Sequence, residues 1–406
     1  MKQRVSATAA LAAALVLGAA SASAAGAPVK IGVLTDMSSL YSAISGPGSV
    51  VAAEMAADDA GPVLGQKVQI ISADHQNKPD VGSAIARKWY DEEGVDVITD
   101  LPTSSVALAV EDVSREKHKL ALITGAADSD ITGPKCSPYA AHWLYDTYSL
   151  AHVTGSAVVK SGGKTWFFIT ADYAFGHALE RDTAAVIEAE GGKVLGNVNA
   201  PLNTQDFSSF LLQAQASKAQ IIGLANAGGD TVNSIKQGAE FGITQGGQKF
   251  AALLVFITDV HSLGLPVAQG LQLTSPFYWN MNDATRAWSK RFEAKAGHPP
   301  TFDQAGVYGA VAHYLKAVKA IGTKEPLKVM AEMRKLPIND FMTHDGKLRI
   351  DGRVLRDMYL FQVKTPAESK EPWDYYKLVE TVPGDKAFRP LDAGGCPLVK
   401  ETAAQQ

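Results

Sequence analysis

The sequence predicts an α/β protein made of two doubly wound parallel-sheet lobes of similar topology. Short β-branched runs alternate with longer segments of helical period, as expected of βαβ units with right-handed crossovers. The alternation runs once to about Tyr148 and then begins again. With 406 residues, 46% of them hydrophobic, the chain is long enough for two or three domains and apolar enough to fill their cores.

In the first run, strands are predicted at 29–34, 68–73, 95–99 and 120–124, with helices at 49–59, 80–93 and 106–117. The second run places strands at 165–170, 193–198, 220–225 and 250–256 among helices at 151–160, 174–190, 207–218 and 231–241. Two amphipathic helices, 283–295 and 304–321, follow, separated by His298-Pro299-Pro300. Two late strands, near 357–364 and 375–382, close the pattern.

Residues 1–24 stand apart. Lys2 and Arg4 precede a short Ala- and Leu-rich run that ends in Ala22-Ser23-Ala24, which reads as a signal peptide cleaved after Ala24. The run is too short and too Ala-rich to span a bilayer well, and no Cys follows it to carry a lipid. The remainder is expected to be exported, without membrane insertion. Its 38 basic and 42 acidic side chains nearly balance, so charge gives no reason to expect nucleic-acid binding. In an oxidising compartment, Cys136 and Cys396 are read either as a disulfide or as two buried thiols.

Ligands of open α/β sheets bind beyond the carboxyl ends of the strands. Those segments are Thr35–41, Asp100–Ser105, Gly125–Ser129, Ala171–Gly176, Asn226–Asp230 and Phe256–Asp259, rich in hydroxyls, small residues and aromatics. Thr103-Ser104-Ser105 also opens a helix, where free N–H groups favour a carboxylate. Any one of these polar residues is equally suited to capping a helix or a turn. Enzyme signatures fail: Gly46-Pro47-Gly48 lies too far beyond its strand and lacks the third glycine of a dinucleotide fingerprint. No phosphate loop, metal-ligand spacing or nucleophile elbow is present, and no cofactor is expected. Asp74-His75 is an isolated acid–histidine pair.

Four stretches carry a resemblance: Val29-Lys30-Ile31-Gly32-Val33-Leu34, Gly125-Ala126-Ala127-Asp128-Ser129-Asp130, Asp172-Tyr173-Ala174-Phe175-Gly176 and Ala305-Gly306-Val307-Tyr308. With the order of elements, they make the chain resemble the type I periplasmic solute-binding proteins of the leucine/isoleucine/valine class, the receptors of ABC importers. The resemblance implies a three-strand hinge and lobes discontinuous in sequence: 25–146 with 276–356, and 147–275 with 357–406 including the tail. It implies that one late strand finishes each lobe. It also implies a monomer that closes on a small-molecule ligand and meets a membrane permease.

Residue by residue, the resemblance assigns Thr103, Ser104, Ala127, Asp128 and Ser129 to a ligand carboxylate, and Tyr173 or Phe175 to covering the ligand. Tyr41 would wall the opposite side, with Asn226 beyond the neighbouring strand. Relatives that bind amino acids place an acid near the position of Phe256 to meet the ammonium; here Asp259 follows three residues later. Asp128 would repel a carboxylate; it is expected to face the hinge, cap the next turn or pair with an ammonium. Branched-chain or related amino acids, aromatic carboxylic acids, and short amides or urea are the ligand classes that follow. A periplasmic sensor and an exported α/β enzyme are the alternatives of different class.

Overall fold

The computed structural model describes residues 27–404; the signal segment 1–24 lies outside the described residues. The first lobe is built on five parallel strands, β1 (Lys30–Thr35), β2 (Gln69–Asp74), β3 (Val97–Asp100), β4 (Leu120–Ile123) and β5 (Ala140–His142), in the order β2-β1-β3-β4-β5. β3 and β4 are buried at every residue; β4 (LALI) accordingly reads as a continuous apolar run without alternation, whereas β3 (VITD) is apolar only in its first half. β2 lies at the sheet edge and is partly exposed throughout.

The second lobe repeats the plan with β6 (Thr165–Ala171), β7 (Lys193–Ala200), β8 (Ile221–Ala225) and β9 (Lys249–Ala252), parallel and ordered β7-β6-β8-β9. The strand predicted at 250–256 stops at Ala252. The Asp259 carboxylate accepts the Phe256 N–H at 2.9 Å, so Phe256 caps the helix Ile257–Leu263 instead of extending a ladder. The helix predicted at 151–160 starts earlier, at Thr147, where the Asp146 carboxylate accepts the Ser149 N–H at 2.8 Å.

β10 (Gln272–Ser275) was not foreseen. After a short β11 (Lys347–Leu348) and β12 (Val354–Leu355), β13 (Met358–Val363) and β14 (Tyr376–Val382) join it in an antiparallel sheet ordered β10-β13-β14. The late strands thus pair with each other, and do not finish one lobe each. The chain crosses from one lobe to the other between β5 and β6, between β10 and the helix Asp283–Ala296, and between β12 and β13. Arg353 ties the first and third passages: its guanidinium donates to the carbonyls of His142 and Tyr145 and lies 3.4 Å from the Asp146 carboxylate.

The helices Gly46–Ala60 and Phe302–Ile321 pack together in the first lobe, although they are 240 residues apart in sequence. Cys136 and Cys396 are disulfide-bonded. The segment after Val382, grouped with the second lobe above, is thereby fastened to the first.

Candidate functional site

The carboxyl ends of the two sheets face each other across a cleft. From the first lobe and its exit segment come Tyr41, Ile44, Pro102, Gly125, Ala127, Tyr145 and Asp303; from the second come Tyr173, Phe175, Ala227, Leu254 and Phe256. The Tyr41 and Tyr173 hydroxyls meet at 2.7 Å, a direct hydrogen bond between lobes. Burial pushes both phenols above their ordinary pKa, so both stay neutral. Phe256 stacks on Phe302, with centroids 4.4 Å apart. The cavity left among these side chains is ≈20 Å³, room for about one water.

Glycine is required at two points around this cleft. A Cβ on Gly125 would stand 2.7 Å from the Pro102 Cα and 2.9 Å from an Asp303 carboxyl oxygen. One on Gly176 would meet the Ala171 carbonyl oxygen at 2.0 Å, so the turn that delivers Tyr173 and Phe175 needs glycine behind it.

Tyr41, Ala127, Tyr173, Phe175 and Phe256, all expected from the sequence, line the cavity. The other expected residues do not. The Thr103 hydroxyl donates to the Asn77 side-chain carbonyl. The Ser104 Oγ accepts the N–H groups of Ala127 and Asp128, each at 3.2 Å. Asp128 caps the following turn by accepting the Asp130 N–H at 2.9 Å, and burial pushes its carboxyl up to about 6. Asn226 accepts from Thr231 at 2.7 Å. Ser129 donates to Asp182 of the second lobe at 2.7 Å and receives Arg389 of the tail at 2.9 Å. Asp259, the suggested substitute acid, is held by the Phe256 N–H, and burial raises it to about 7.

Asp303 and Tyr145 were missed. Asp303 sits in the first turn of Phe302–Ile321, where Thr301 and Gln304 form a capping box, so in the sequence it reads as an ordinary helix-starting acid. Tyr145 follows the three-residue β5, too short a strand to announce itself. Its hydroxyl donates to the Gly125 carbonyl at 2.6 Å.

A wider groove of ≈810 Å³ runs between β9 and β10. Its walls belong to the second lobe alone, so relative motion of the lobes cannot close on it. Among the described residues, no cluster of three or more His, Cys, Asp or Glu side chains is placed to hold a metal, and no helix is long and apolar enough to cross a membrane.

Two similar lobes, three connecting passages and an aromatic cleft between the strand tips define a solute-binding receptor. The chain belongs to the periplasmic binding protein family, which matches residues 28–370. It is a receptor of the ABC-importer type with the type I fold, and this family and fold are those of receptors and not of enzymes. A periplasmic binding protein from Burkholderia mallei is similar to it at 53% identity and a TM-score of 0.90, covering 91% of this chain and 99% of that one. A branched chain amino acid ABC transporter periplasmic ligand-binding protein from Burkholderia xenovorans LB400 is 45% identical, with a TM-score of 0.81 and coverage of 91% and 99%. A Leu/Ile/Val-binding protein homolog from Brucella abortus is 26% identical over 357 residues, 82% of this chain and 83% of that one.

Proposed function

We propose that this receptor captures an α-amino acid with an apolar side chain, branched or aromatic, in the periplasm and presents it to the membrane permease of an ABC importer. The protein would act as a monomer once residues 1–24 are removed. The observation that carries this reading is the cleft itself: five aromatic side chains drawn from both lobes surround one carboxyl group. The rings Tyr41, Tyr145, Tyr173, Phe175 and Phe256 suit an apolar body. The N-terminal end of the helix Ser104–Lys117, beside Pro102 and Ala127 of the lining, would receive the carboxylate.

A cavity of ≈20 Å³ cannot admit an amino acid unless the lobes part. Binding is then a population shift: the open form takes the ligand, and contacts to both lobes favour closure by their differential affinity.

A second reading, an aromatic carboxylic acid, is favoured by Phe256 stacked on Phe302 where an ammonium partner was expected. Thermal-shift measurements with leucine, valine, phenylalanine, benzoate, acetamide and urea separate these readings. A ligand at a hundred times its Kd adds about 2.7 kcal/mol, or about 3 °C for a chain of this length. Stabilisation by benzoate and by none of the amino acids would replace the first reading with the second. Binding without uptake through a reconstituted permease would make the protein a sensor.

A further inference from the structure

The receptor cleft contains an acid that no strand tip supplies. Asp303 is fully buried and lines the cavity, and the groups against its carboxyl are the Asp100 carboxyl and the Thr124 hydroxyl. Behind it stands Asp100, also fully buried, with the Thr35, Ser49 and Thr124 hydroxyls about its carboxyl, Thr124 at 3.4 Å from Oδ1. The two carboxyls are in hydrogen-bonding contact. The backbone is distorted to bring this about: Asp100 and Leu101 adopt φ of 82° and 59°, a conformation that non-glycine residues hold only where the surroundings force it.

Two buried carboxylates in contact cannot both ionise, so they share one proton. Burial raises Asp100 to about 6 although the hydrogen bond from Asp303 opposes it, and burial together with the neighbouring Asp100 raises Asp303 well above its ordinary value. At neutral pH the pair therefore carries one negative charge. No Lys, Arg or His lines the cavity, and the hydroxyls near the pair, those of Thr35, Ser49, Thr124 and Tyr145, are neutral. A buried charge without a counter-ion is costly, and a single ligand cation would compensate it. The same aromatic walls attract a cation through their π faces.

We infer that Asp303, supported by Asp100, is the ammonium-recognition group of this cleft and replaces the acid that Phe256 displaces. The inference rests on the amino-acid reading above. It adds that the ammonium is met from the first lobe, by a helix N-terminus, and not from the second. The specificity that follows is for amino acids over the same molecules lacking the amine.

The test is isothermal titration of L-phenylalanine, L-leucine and their deaminated counterparts, 3-phenylpropanoate and 4-methylpentanoate. The intact disulfide-bonded protein is compared with Asp303→Asn, Asp100→Asn and Asp259→Asn. Wild type should bind an amino acid at least 100-fold more tightly than its deaminated counterpart. Asp303→Asn should lose at least 30-fold for the amino acid and less than threefold for the counterpart, and Asp100→Asn should follow the same pattern more weakly. Asp259→Asn should keep wild-type preference. An unchanged preference in a folded Asp303→Asn protein overturns the assignment and leaves the amino-acid reading intact. Wild type that binds the deaminated acids as well as or better than the amino acids overturns both, and that comparison needs no variant to fold.

Discussion

The Tyr41–Tyr173 hydrogen bond is the one direct polar contact between lobes that lies within the cleft lining, and a ligand has to break it. A neutral hydrogen bond contributes about 1 kcal/mol net, and a buried hydroxyl left without its partner costs about 1–3 kcal/mol. Tyr41→Phe removes the bond and strands the Tyr173 hydroxyl in the closed form; Tyr173→Phe does the reverse. Each single variant should therefore destabilise closure by at least about 1 kcal/mol and raise the open population about fivefold. The double variant strands nothing, because two rings face each other where two hydroxyls did. Its closure should be perturbed less than the sum of the singles, with a coupling energy of about 1 kcal/mol or more. Stopped-flow tryptophan fluorescence reads this as the association rate of the ligand found by thermal shift. Both singles should associate about fivefold faster, and the double variant should fall short of the product of their effects. Additive effects, or association rates equal to wild type in both singles, would refute the idea that this bond holds the lobes together.

Three further outcomes are expected. The Cys136–Cys396 bridge closes a loop across a separation of 260 residues, worth about 5 kcal/mol by chain entropy. Replacing both cysteines by serine should lower Tm by about 6 °C by calorimetry, and a fall under about 2 °C would argue against a constraint of that size. Arg353 is buried against Asp146 and the carbonyls of His142 and Tyr145, so Arg353→Met should cost about 3–5 kcal/mol in denaturant unfolding. Lysine should not rescue it, because an ammonium lacks the guanidinium fork that reaches several acceptors. Burial raises Asp230 and Asp259 to about 7, so the folded chain binds more protons than the unfolded one between about pH 4 and 7. Stability from these groups is present below pH 4 and is lost as pH rises through 7. Tm should be higher at pH 5 than at pH 8, and Asp259→Asn should flatten that slope.

The fold was legible because parallel strands buried on both faces leave a strong trace. Leu120–Ile123 and Ile221–Ala225 are apolar runs between helices of the right length. The antiparallel sheet was not legible, because β10 has only four residues and its partner β13 lies about 85 residues further on. In the cleft, Tyr41, Tyr173, Phe175 and Phe256 at the strand tips do line the cavity, because a large ring there has few other places to go. Ser104, Asp128 and Asn226 lie outside the lining for a chemical reason: their short side chains bond to nearby loop and helix groups. Asp303 was hidden by the opposite effect. An acid in the first turn of a capped helix needs no further explanation in a sequence, and only the fold brings Asp100 beside it.

The hydroxyl of Ser129 joins the two lobes outside the cavity lining. It was expected at the ligand carboxylate, yet Asp182 accepts from it and from Thr147, and Arg181 and Arg389 both donate to it at 2.9 Å. Asp182 and Arg181 belong to the second lobe and Ser129 to the first, while Arg389 arrives on the tail seven residues before the Cys396 bridge. The tail is therefore a fourth connection, covalently fixed to the first lobe and carrying a cation to an acid of the second. The Arg389–Asp182 distance is 3.8 Å and the guanidinium also lies 5.2 Å from the Tyr148 ring, so the contact is held from several directions. Opening of the lobes has to stretch this cluster as well as break the Tyr41–Tyr173 bond. The two contacts join the lobes at different places, the Tyr41–Tyr173 bond in the aromatic lining and the Ser129–Asp182–Arg389 cluster outside it.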